Sequence, residues 1–293
     1  MNDSGEVSAA FGRHYEITLD DGRRINGIPR AKKSPFACGD RVTLGPFHDN
    51  EAQILGHLPR SSLLYRSDQW KQKLIAANAT QIIIVLATEP GFSNELISRA
   101  WVAALHEGMR TILVLNKADL ADRLPAAREQ LAPYIALGLP VVELCAHHDV
   151  EPLRNFLACQ VSLLIGQSGM GKSTLTNALI PGAVAATREI STALDSGKHT
   201  TTHARLYRID ATSALIDSPG LQEFGLAHLT RGEIEDGFVE FRPHLGRCRF
   251  RDCRHEQEPD CSIKAAVAAR EINLRRLGHF LTIAAEADRA KSH

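Results

Sequence analysis

The sequence predicts a multidomain fold with an N-terminal β-barrel, a central α/β domain and a C-terminal metal-binding module that contains helices. Three observations support this prediction. Short β-type segments separated by Gly, Pro and Asp occupy the N-terminal part, apolar runs alternate with helical patterns after it, and three cysteines lie close to a histidine near the C-terminus. We therefore place the domains at 1–61, 62–228 and 229–293.

The N-terminal domain is predicted from closely spaced short strands. Tyr15–Leu19 alternates between polar and apolar residues, and a turn at Asp20–Gly22 separates it from the apolar stretch Arg24–Ile28. Two further stretches follow at Arg41–Leu44 and Glu51–Leu55. Strands this short and this close together are typical of a small β-barrel or sandwich.

The central domain is predicted from apolar runs that alternate with helical patterns. Runs this apolar are typical of strands buried on both faces of a mainly parallel sheet. Ser93–Glu107 and Ser173–Leu179 have the pattern of helices, and the more polar Arg205–Asp210 is predicted to be an edge strand. The apolar runs are Gln81–Ala87, Thr111–Leu115, Pro140–Leu144, Val161–Ile165 and Ala214–Ile216.

A phosphate-binding loop follows the strand Val161–Ile165. Its glycines let backbone N–H groups turn inward around a phosphate, Lys172 neutralises the phosphate charge, and the hydroxyl of Ser173 ligates Mg²⁺. The alternative is a glycine-rich turn at a helix start, and the apolar strand directly before the motif argues against it. The motif G-x-x-x-x-G-K-S-T comprises Gly166, Gln167, Ser168, Gly169, Met170, Gly171, Lys172, Ser173 and Thr174.

A base-recognition motif, Asn116, Lys117, Ala118 and Asp119, ends the strand Thr111–Leu115. The carboxylate of Asp119 can accept from both N1–H and the exocyclic amine of guanine, a pair of donors that adenine does not present. Asn116 is expected to bridge toward the phosphate loop, and the Lys117 stem to cover the base. The alternative is a polar loop with an Asp helix cap. The loop Leu144–Ala146 is a weaker candidate for a second base contact.

Two further segments have the character of nucleotide switches. Asp217 and Gly220 fit the D-x-x-G pattern, in which Asp217 holds Mg²⁺ through water and the Gly220 amide senses the γ-phosphate. The segment 198–203 lies between this motif and the phosphate loop, and Thr201 is its preferred Mg²⁺ ligand. The alternatives are an ordinary turn for the first segment and the start of an edge strand for the second.

The motif order is unusual, because base recognition precedes the phosphate loop and the phosphate loop precedes the switches. In the usual arrangement of such domains the phosphate loop comes first. A parallel sheet tolerates this cut because the ends of a domain usually lie close together at its surface. The sequence therefore indicates a circularly permuted guanine-nucleotide domain of the P-loop class.

The C-terminal module contains Cys248, Cys253, His255 and Cys261. Three thiolates and one imidazole form a tetrahedral structural zinc set with no open position. The alternative is three buried free cysteines and a surface histidine. Apolar residues recur at helical spacing from Ser262 to Arg289, which predicts a helix there. The three remaining cysteines are interpreted as small core residues; they are Cys38, Cys145 and Cys159.

These motifs, in this order and with this cysteine spacing, resemble the ribosome small subunit-dependent GTPase A family (RsgA, also called YjeQ). The resemblance covers the whole chain and implies an OB-like RNA-binding barrel, a circularly permuted GTPase and a zinc module. It also implies binding to the small (30S) ribosomal subunit and 16S rRNA late in subunit assembly, with GTP hydrolysis stimulated by the subunit. Leu221 stands where many GTPases carry a water-orienting glutamine, so slow intrinsic hydrolysis is expected, with His199 as the candidate catalytic residue.

Composition limits the remaining possibilities. Lys+Arg and Asp+Glu number 34 each, so net charge gives no argument for nucleic acid. Residues 1–13 lack the apolar stretch of a secretory signal and no run is long enough to span a membrane, so a cytoplasmic protein is expected. A monomer is also expected. A constitutive RNA-binding module with a structural nucleotide site is the main alternative function. A small-molecule P-loop kinase is a further one, against which Asn116 and Asp119 argue.

Overall fold

The computed structural model of the chain describes residues 3–11, 14–30, 36–67, 72–183, 204–218 and 225–291. Within these ranges, an 11-stranded sheet joins the N-terminal barrel to the central domain, in the order β10-β9-β8-β11-β13-β12-β1-β2-β3-β5-β4 with strands numbered along the chain. None of the helices in the described ranges combines the length and apolar composition needed to cross a membrane.

Five strands close the predicted N-terminal barrel. They are β1 (Ser4–Phe11), β2 (His14–Leu19), β3 (Arg24–Pro29), β4 (Arg41–His48) and β5 (Glu51–His57). The first strand pairs with both β2 and β4, which closes the barrel, and β3 runs parallel to β5. Alternating residues such as Val7, Ile17 and Leu44 fill the interior. The predicted N-terminal barrel is confirmed, and its fifth strand, β1, was not among the four predicted stretches.

The central domain has a parallel sheet between two layers of helices. A hairpin of β6 (Leu63–Ser67) and β7 (Gln72–Ala77) precedes it. The parallel strands β10, β9, β8, β11 and β13 lie side by side, and β12 adds an antiparallel strand beside β13. Their bounds are β8 (Gln81–Ala87), β9 (Arg110–Asn116), β10 (Val141–Glu143), β11 (Val161–Ile165), β12 (Arg205–Arg208) and β13 (Ala214–Asp217).

Helices cover both faces of this sheet, so that each face has its own core. The first face packs against α1, α2 and the C-terminal helices, and the second against α3 and α4. The helix α1 begins where the Ser93 side chain accepts from the backbone N–H of Leu96. The bounds are α1 (Asn94–His106), α2 (Leu124–Ala136), α3 (Glu151–Leu157), α4 (Lys172–Leu179), α5 (Arg231–Asp236), a 3₁₀-helix at Val239–His244, α6 (Ser262–Ala268) and α7 (Leu274–Lys291).

The structure corrects the sequence-based assignment of several elements. The first strand, Ser4–Phe11, was not predicted. Arg205–Arg208 is not an edge strand, because it pairs with β13 on one side and with β1 of the barrel on the other. The predicted helix from Ser262 to Arg289 is interrupted between α6 and α7, where Arg270 adopts a left-handed backbone with φ 64°. Helices α2 and α3 and the β6–β7 hairpin were also not predicted.

A buried arginine fixes the C-terminal module to the central domain. Arg276 on α7 is 2% exposed, and its guanidinium donates to the Glu240 carboxylate at 2.6 and 3.1 Å and to the Ser98 hydroxyl of α1 at 2.8 Å. The same group lies 4.3 Å from the ring centre of Phe238 and 5.1 Å from that of Trp101. The Arg276–Glu240 pair lies within the C-terminal module, and the contacts of Arg276 with Ser98 and Trp101 join that module to the central domain.

We predict that Arg276→Ala destabilises the chain by about 3–5 kcal/mol, because it leaves the Glu240 carboxylate buried without its partner. Arg275→Ala is the matched control, since Arg275 is the exposed neighbour on the same helix turn. The free energy of unfolding measured in urea checks both variants. Equal destabilisation by the two variants would contradict the role given to Arg276.

Candidate nucleotide site and metal centre

The predicted motif loops lie at one edge of the central sheet. The strands β9, β8, β11 and β13 are neighbours and parallel, so their carboxyl ends meet at the same edge. Residues 116–119 follow β9, residues 166–171 follow β11, and Asp217 ends β13. Open α/β sheets bind ligands outside the carboxyl ends of their strands. Topology alone therefore brings the three motifs together.

The Asn116 side chain joins three loops. It is 3% exposed, and its Nδ2 donates to the backbone oxygen of Met170 in the phosphate loop at 3.0 Å. Its Oδ1 accepts from the backbone N–H of Ala146 at 2.9 Å. A buried amide with both ends occupied holds its partners in one arrangement. The base loop, the phosphate loop and the loop after β10 are thus fixed relative to one another.

The phosphate loop needs glycine at two positions for reasons visible in the structure. A Cβ at Gly166 would lie 2.3 Å from the backbone oxygen of Val85, and one at Gly171 would lie 2.2 Å from the Nδ2 of Asn116. Gly171 also has φ 89°, a left-handed conformation that other residues rarely adopt. The helix α4 starts directly after it. Its first backbone N–H groups have no partner within the helix and are directed toward the loop, as in anion-binding sites.

Lys172 and Asp217 supply opposite charges beneath this loop. The Nζ of Lys172 donates to the backbone oxygens of Gly166 at 2.7 Å and Gln167 at 2.8 Å. Burial raises the pKa of Asp217 to about 6, although Lys172 and Thr176 act in the opposite direction. The half-buried Asp217 carboxylate accepts from the Thr176 hydroxyl of α4 at 3.4 Å, and the exposed Ser173 hydroxyl lies in the first turn of the same helix. Both side chains offer the oxygen donors that Mg²⁺ prefers.

The base side of the site contains Asp119 in a hydrogen-bonded loop. The Cys145 thiol donates to its carboxylate, which holds the pKa of Asp119 below its usual value. The backbone N–H of Ala118 donates to Leu144 at 3.1 Å. The Nζ of Lys117 donates to the backbone oxygen of Glu89 at 2.6 Å, so its stem crosses the edge of the site. Asp119 is exposed and available to a base.

Sequence reasoning missed one loop of this site and misplaced two cysteines. Residues 88–93 follow β8, and the backbone N–H of Ser93 donates to the Gln167 side chain at 3.0 Å, which ties this loop to the phosphate loop. A polar segment after the apolar run at 81–87 was the available signal. Cys38 is buried as expected, but Cys159 is exposed and Cys145 is half-buried beside Asp119. The predicted residues His199, Thr201 and Gly220 lie outside the described residues.

The four predicted zinc ligands come together in the C-terminal module. The ligand atoms of Cys248, Cys253, His255 and Cys261 all lie within 4.8 Å of one another. The Nδ1 of His255 is 3.2 Å from the Cys261 sulfur and 3.5 Å from that of Cys253. Three sulfurs and one imidazole nitrogen at these separations fit a tetrahedral Zn²⁺ ion.

Glu235 orients the histidine of this cluster. Its carboxylate forms a hydrogen bond with the Nε2 of His255, on the side of the ring away from the sulfurs. A metal-bound histidine commonly donates its second N–H to a carboxylate, which fixes the tautomer and the ring orientation. Because Glu235 lies on α5, the cluster is joined to the helix that follows the nucleotide domain.

Comparisons with known proteins identify the family. The family model described as RsgA GTPase matches residues 57–227. The chain belongs to the RsgA GTPase family. A Nitrosomonas europaea protein named small ribosomal subunit biogenesis GTPase RsgA is 49% identical over 280 residues, which cover 94% of this chain and 89% of that protein. As a member of this family, the chain is a GTP hydrolase.

Solved structures show the same architecture. The crystal structure of YjeQ from Thermotoga maritima has a TM-score of 0.73 and 28% identity, with 98% of this chain and 99% of that chain covered. The structure of YloQ, titled a circularly permuted GTPase, has a TM-score of 0.69 and 22% identity, with 99% of this chain and 96% of that chain covered. The predicted combination of a barrel, a permuted GTPase and a C-terminal cysteine cluster is therefore confirmed as the fold class.

We predict that Gly171→Ala weakens GDP binding by roughly tenfold or more, because the added Cβ displaces Asn116 from Met170 and a buried hydrogen bond is lost. Gly182→Ala is the matched control, since Gly182 has a similar φ of 84° and open space around its Cβ position. Both variants share the backbone strain. Calorimetric GDP titration separates them, and an unchanged affinity in Gly171→Ala would argue against the role of this contact.

We predict that Glu235→Ala lowers zinc affinity by about 10–100-fold, because the His255 ring loses the carboxylate that orients it. Glu235→Gln should fall between this variant and the parent chain. Asp236→Asn is the control on the same helix, since Asp236 pairs with Arg242 instead. Zinc transfer to a chromophoric chelator measures the effect. Unchanged zinc affinity in Glu235→Ala would contradict the role given to Glu235 in orienting His255.

Proposed function

We propose that this chain binds GTP at the edge of its central sheet and hydrolyses it during assembly of the small ribosomal subunit. The observation that carries the proposal is the Asn116 side chain, which holds a guanine-recognition loop and a phosphate loop in one site. The function in subunit biogenesis is taken from the names of relatives about half identical over nearly the whole chain. We propose that the domains are 1–61 for RNA binding, 62–228 for GTP binding and hydrolysis, and 229–293 for zinc binding.

In the proposed site, Asp119 accepts from the guanine N1–H and exocyclic amine, and the Lys117 stem covers the base. Adenine would leave the Asp119 acceptors without donors, which disfavours ATP. Residues 166–174 surround the phosphates with backbone N–H groups, and Lys172 exchanges its two backbone acceptors for phosphate oxygens. In this exchange Lys172 loses two hydrogen bonds but breaks no ion pair, because it makes none within 4.0 Å in the described ranges.

We assign Mg²⁺ to Ser173 and Asp217, with Thr201 completing its protein ligands. The raised pKa of Asp217 supports the assignment, since a carboxylate whose ionised form is disfavoured by burial is stabilised by a nearby cation. Mg²⁺ would supply the charge that neutralises the phosphate oxygens during transfer. The amide of Gly220 is proposed to contact the γ-phosphate.

We further propose that intrinsic hydrolysis is slow and is accelerated by the ribosomal subunit. Leu221 cannot orient a water molecule, so His199 is the proposed group that does so once the subunit is bound. The Cys248, Cys253, His255 and Cys261 cluster would hold one structural Zn²⁺, because four protein ligands leave no open position.

The proposed rRNA contacts of the C-terminal module are arginines that make no ion pair with a carboxylate. In the segment that carries the four proposed zinc ligands, Arg249 forms an ion pair with Asp260, and Arg254 forms one with Asp288. Arg247 and Arg251 make no ion pair with any residue that the structure describes, so we assign the 16S rRNA contact of this module to them. The OB-like barrel would supply the other contact. We propose that the protein acts as a cytoplasmic monomer with no membrane partner.

The test is GTP turnover by the purified chain with small ribosomal subunits, with large subunits and with neither. We predict slow turnover alone, a large increase with small subunits and little change with large subunits. A rate unaffected by small subunits would contradict the proposal and favour a constitutive RNA-binding module with a structural nucleotide site. Arg247→Ala with Arg251→Ala should reduce the increase while leaving the rate without subunits unchanged.

A further inference from the structure

A second group of metal-ligating side chains lies in the two loops that follow β9 and β10. It consists of Asp119, Cys145 and His148, whose oxygen, sulfur and nitrogen ligand atoms all lie within 4.8 Å of one another. Asp119 and His148 are exposed and Cys145 is half-buried, so a solvated cation reaches all three without any opening of the fold.

The backbone already holds these three residues in place. The backbone N–H groups of His148 and Asp149 both donate to the Cys145 oxygen at 2.9 Å, which forms a tight turn between the cysteine and the histidine. The neighbouring Ala146 is bound to Asn116, and Ala118 to Leu144. Ligands positioned by short-range hydrogen bonds lose little conformational entropy when a metal binds.

We propose that Asp119, Cys145 and His148 bind a thiophilic divalent cation, best fitted by Zn²⁺, and that this cation competes with guanine for Asp119. The proposal rests on the guanine site proposed above. One carboxylate, one thiol and one imidazole are donors that zinc accepts together, whereas Mg²⁺ prefers oxygen ligands alone. Zinc bonds of about 2.0–2.3 Å place tetrahedral ligands roughly 3.3–3.8 Å apart, so modest side-chain rotations complete the site.

Binding proceeds by ligand exchange without any change of oxidation state. Zinc replaces the proton of the Cys145 thiol, which is released to solvent, and the hydrogen bond from that thiol to Asp119 is lost. Three protein ligands leave a fourth position for water. An Asp119 oxygen bound to zinc no longer accepts from the guanine N1–H and amine. Metal and nucleotide therefore compete for Asp119, so bound zinc lowers the apparent affinity for GDP and bound GDP lowers the apparent affinity for zinc.

The test uses the full chain with the Cys248 cluster already filled by one zinc equivalent. Added Zn²⁺ is titrated by calorimetry, and GDP affinity is then measured with and without saturating zinc. We expect a second equivalent to bind and GDP affinity to fall by about tenfold or more. His148→Gln should retain GDP binding and lose both effects. His147→Gln is the matched control, because the neighbouring His147 is exposed but is not one of the three ligands.

Cd²⁺ provides a direct readout, since a cadmium–thiolate bond absorbs in the ultraviolet and Cys145→Ser should remove the increment due to the second ion. The inference is overturned if no second equivalent binds, if zinc binds without weakening GDP, or if His148→Gln is inhibited as strongly as the parent. Failure of GDP to bind before any zinc is added would instead refute the guanine site. The zinc stoichiometry would then still decide whether the three residues bind metal.

Discussion

The arrangement of the nucleotide site depends on one buried side chain amide. Asn116 donates to Met170 and accepts from Ala146, so a single side chain fixes the distance between the loop that would read the base and the loop that would hold the phosphates. Because the amide is buried, separation of these loops would leave a donor and an acceptor without partners. A Cβ at Gly171 would lie 2.2 Å from the same amide nitrogen, so a larger residue there would displace it.

The permuted chain order connects this site to both flanking modules. Strand β12 follows residues 184–203, and its Arg205 is buried against Glu16 of the barrel, with the charged groups 3.1 Å apart. On the other side, residues 225–230 lead into α5, whose Glu235 contacts the zinc-cluster histidine. The segment before Asp217 thus contacts the barrel, and the segment after it leads into the zinc module; both modules are assigned to RNA binding above.

The motifs could be predicted from sequence because each depends on local chemistry. The phosphate loop requires glycines where a Cβ would meet backbone or Asn116, and guanine requires a carboxylate. Arg205–Arg208 was misassigned because its charged residues resemble a solvated edge, whereas Arg205 and Arg208 pair with Glu16 and Glu6 of the barrel. The strand Ser4–Phe11 was missed because barrel closure, not its own small and polar side chains, determines its burial. Likewise, only the fold brings Cys145 to Asp119.

Nucleotide selectivity shows whether the base loop and the phosphate loop act as one site. Calorimetric titration of the purified chain with GDP and with ADP measures whether one site reads the base and holds the phosphates. We predict that GDP binds at one equivalent per chain and that ADP binds at least about a hundredfold more weakly, because adenine offers no donor pair to Asp119. Equal affinity for the two nucleotides, or no binding of GDP, would contradict it.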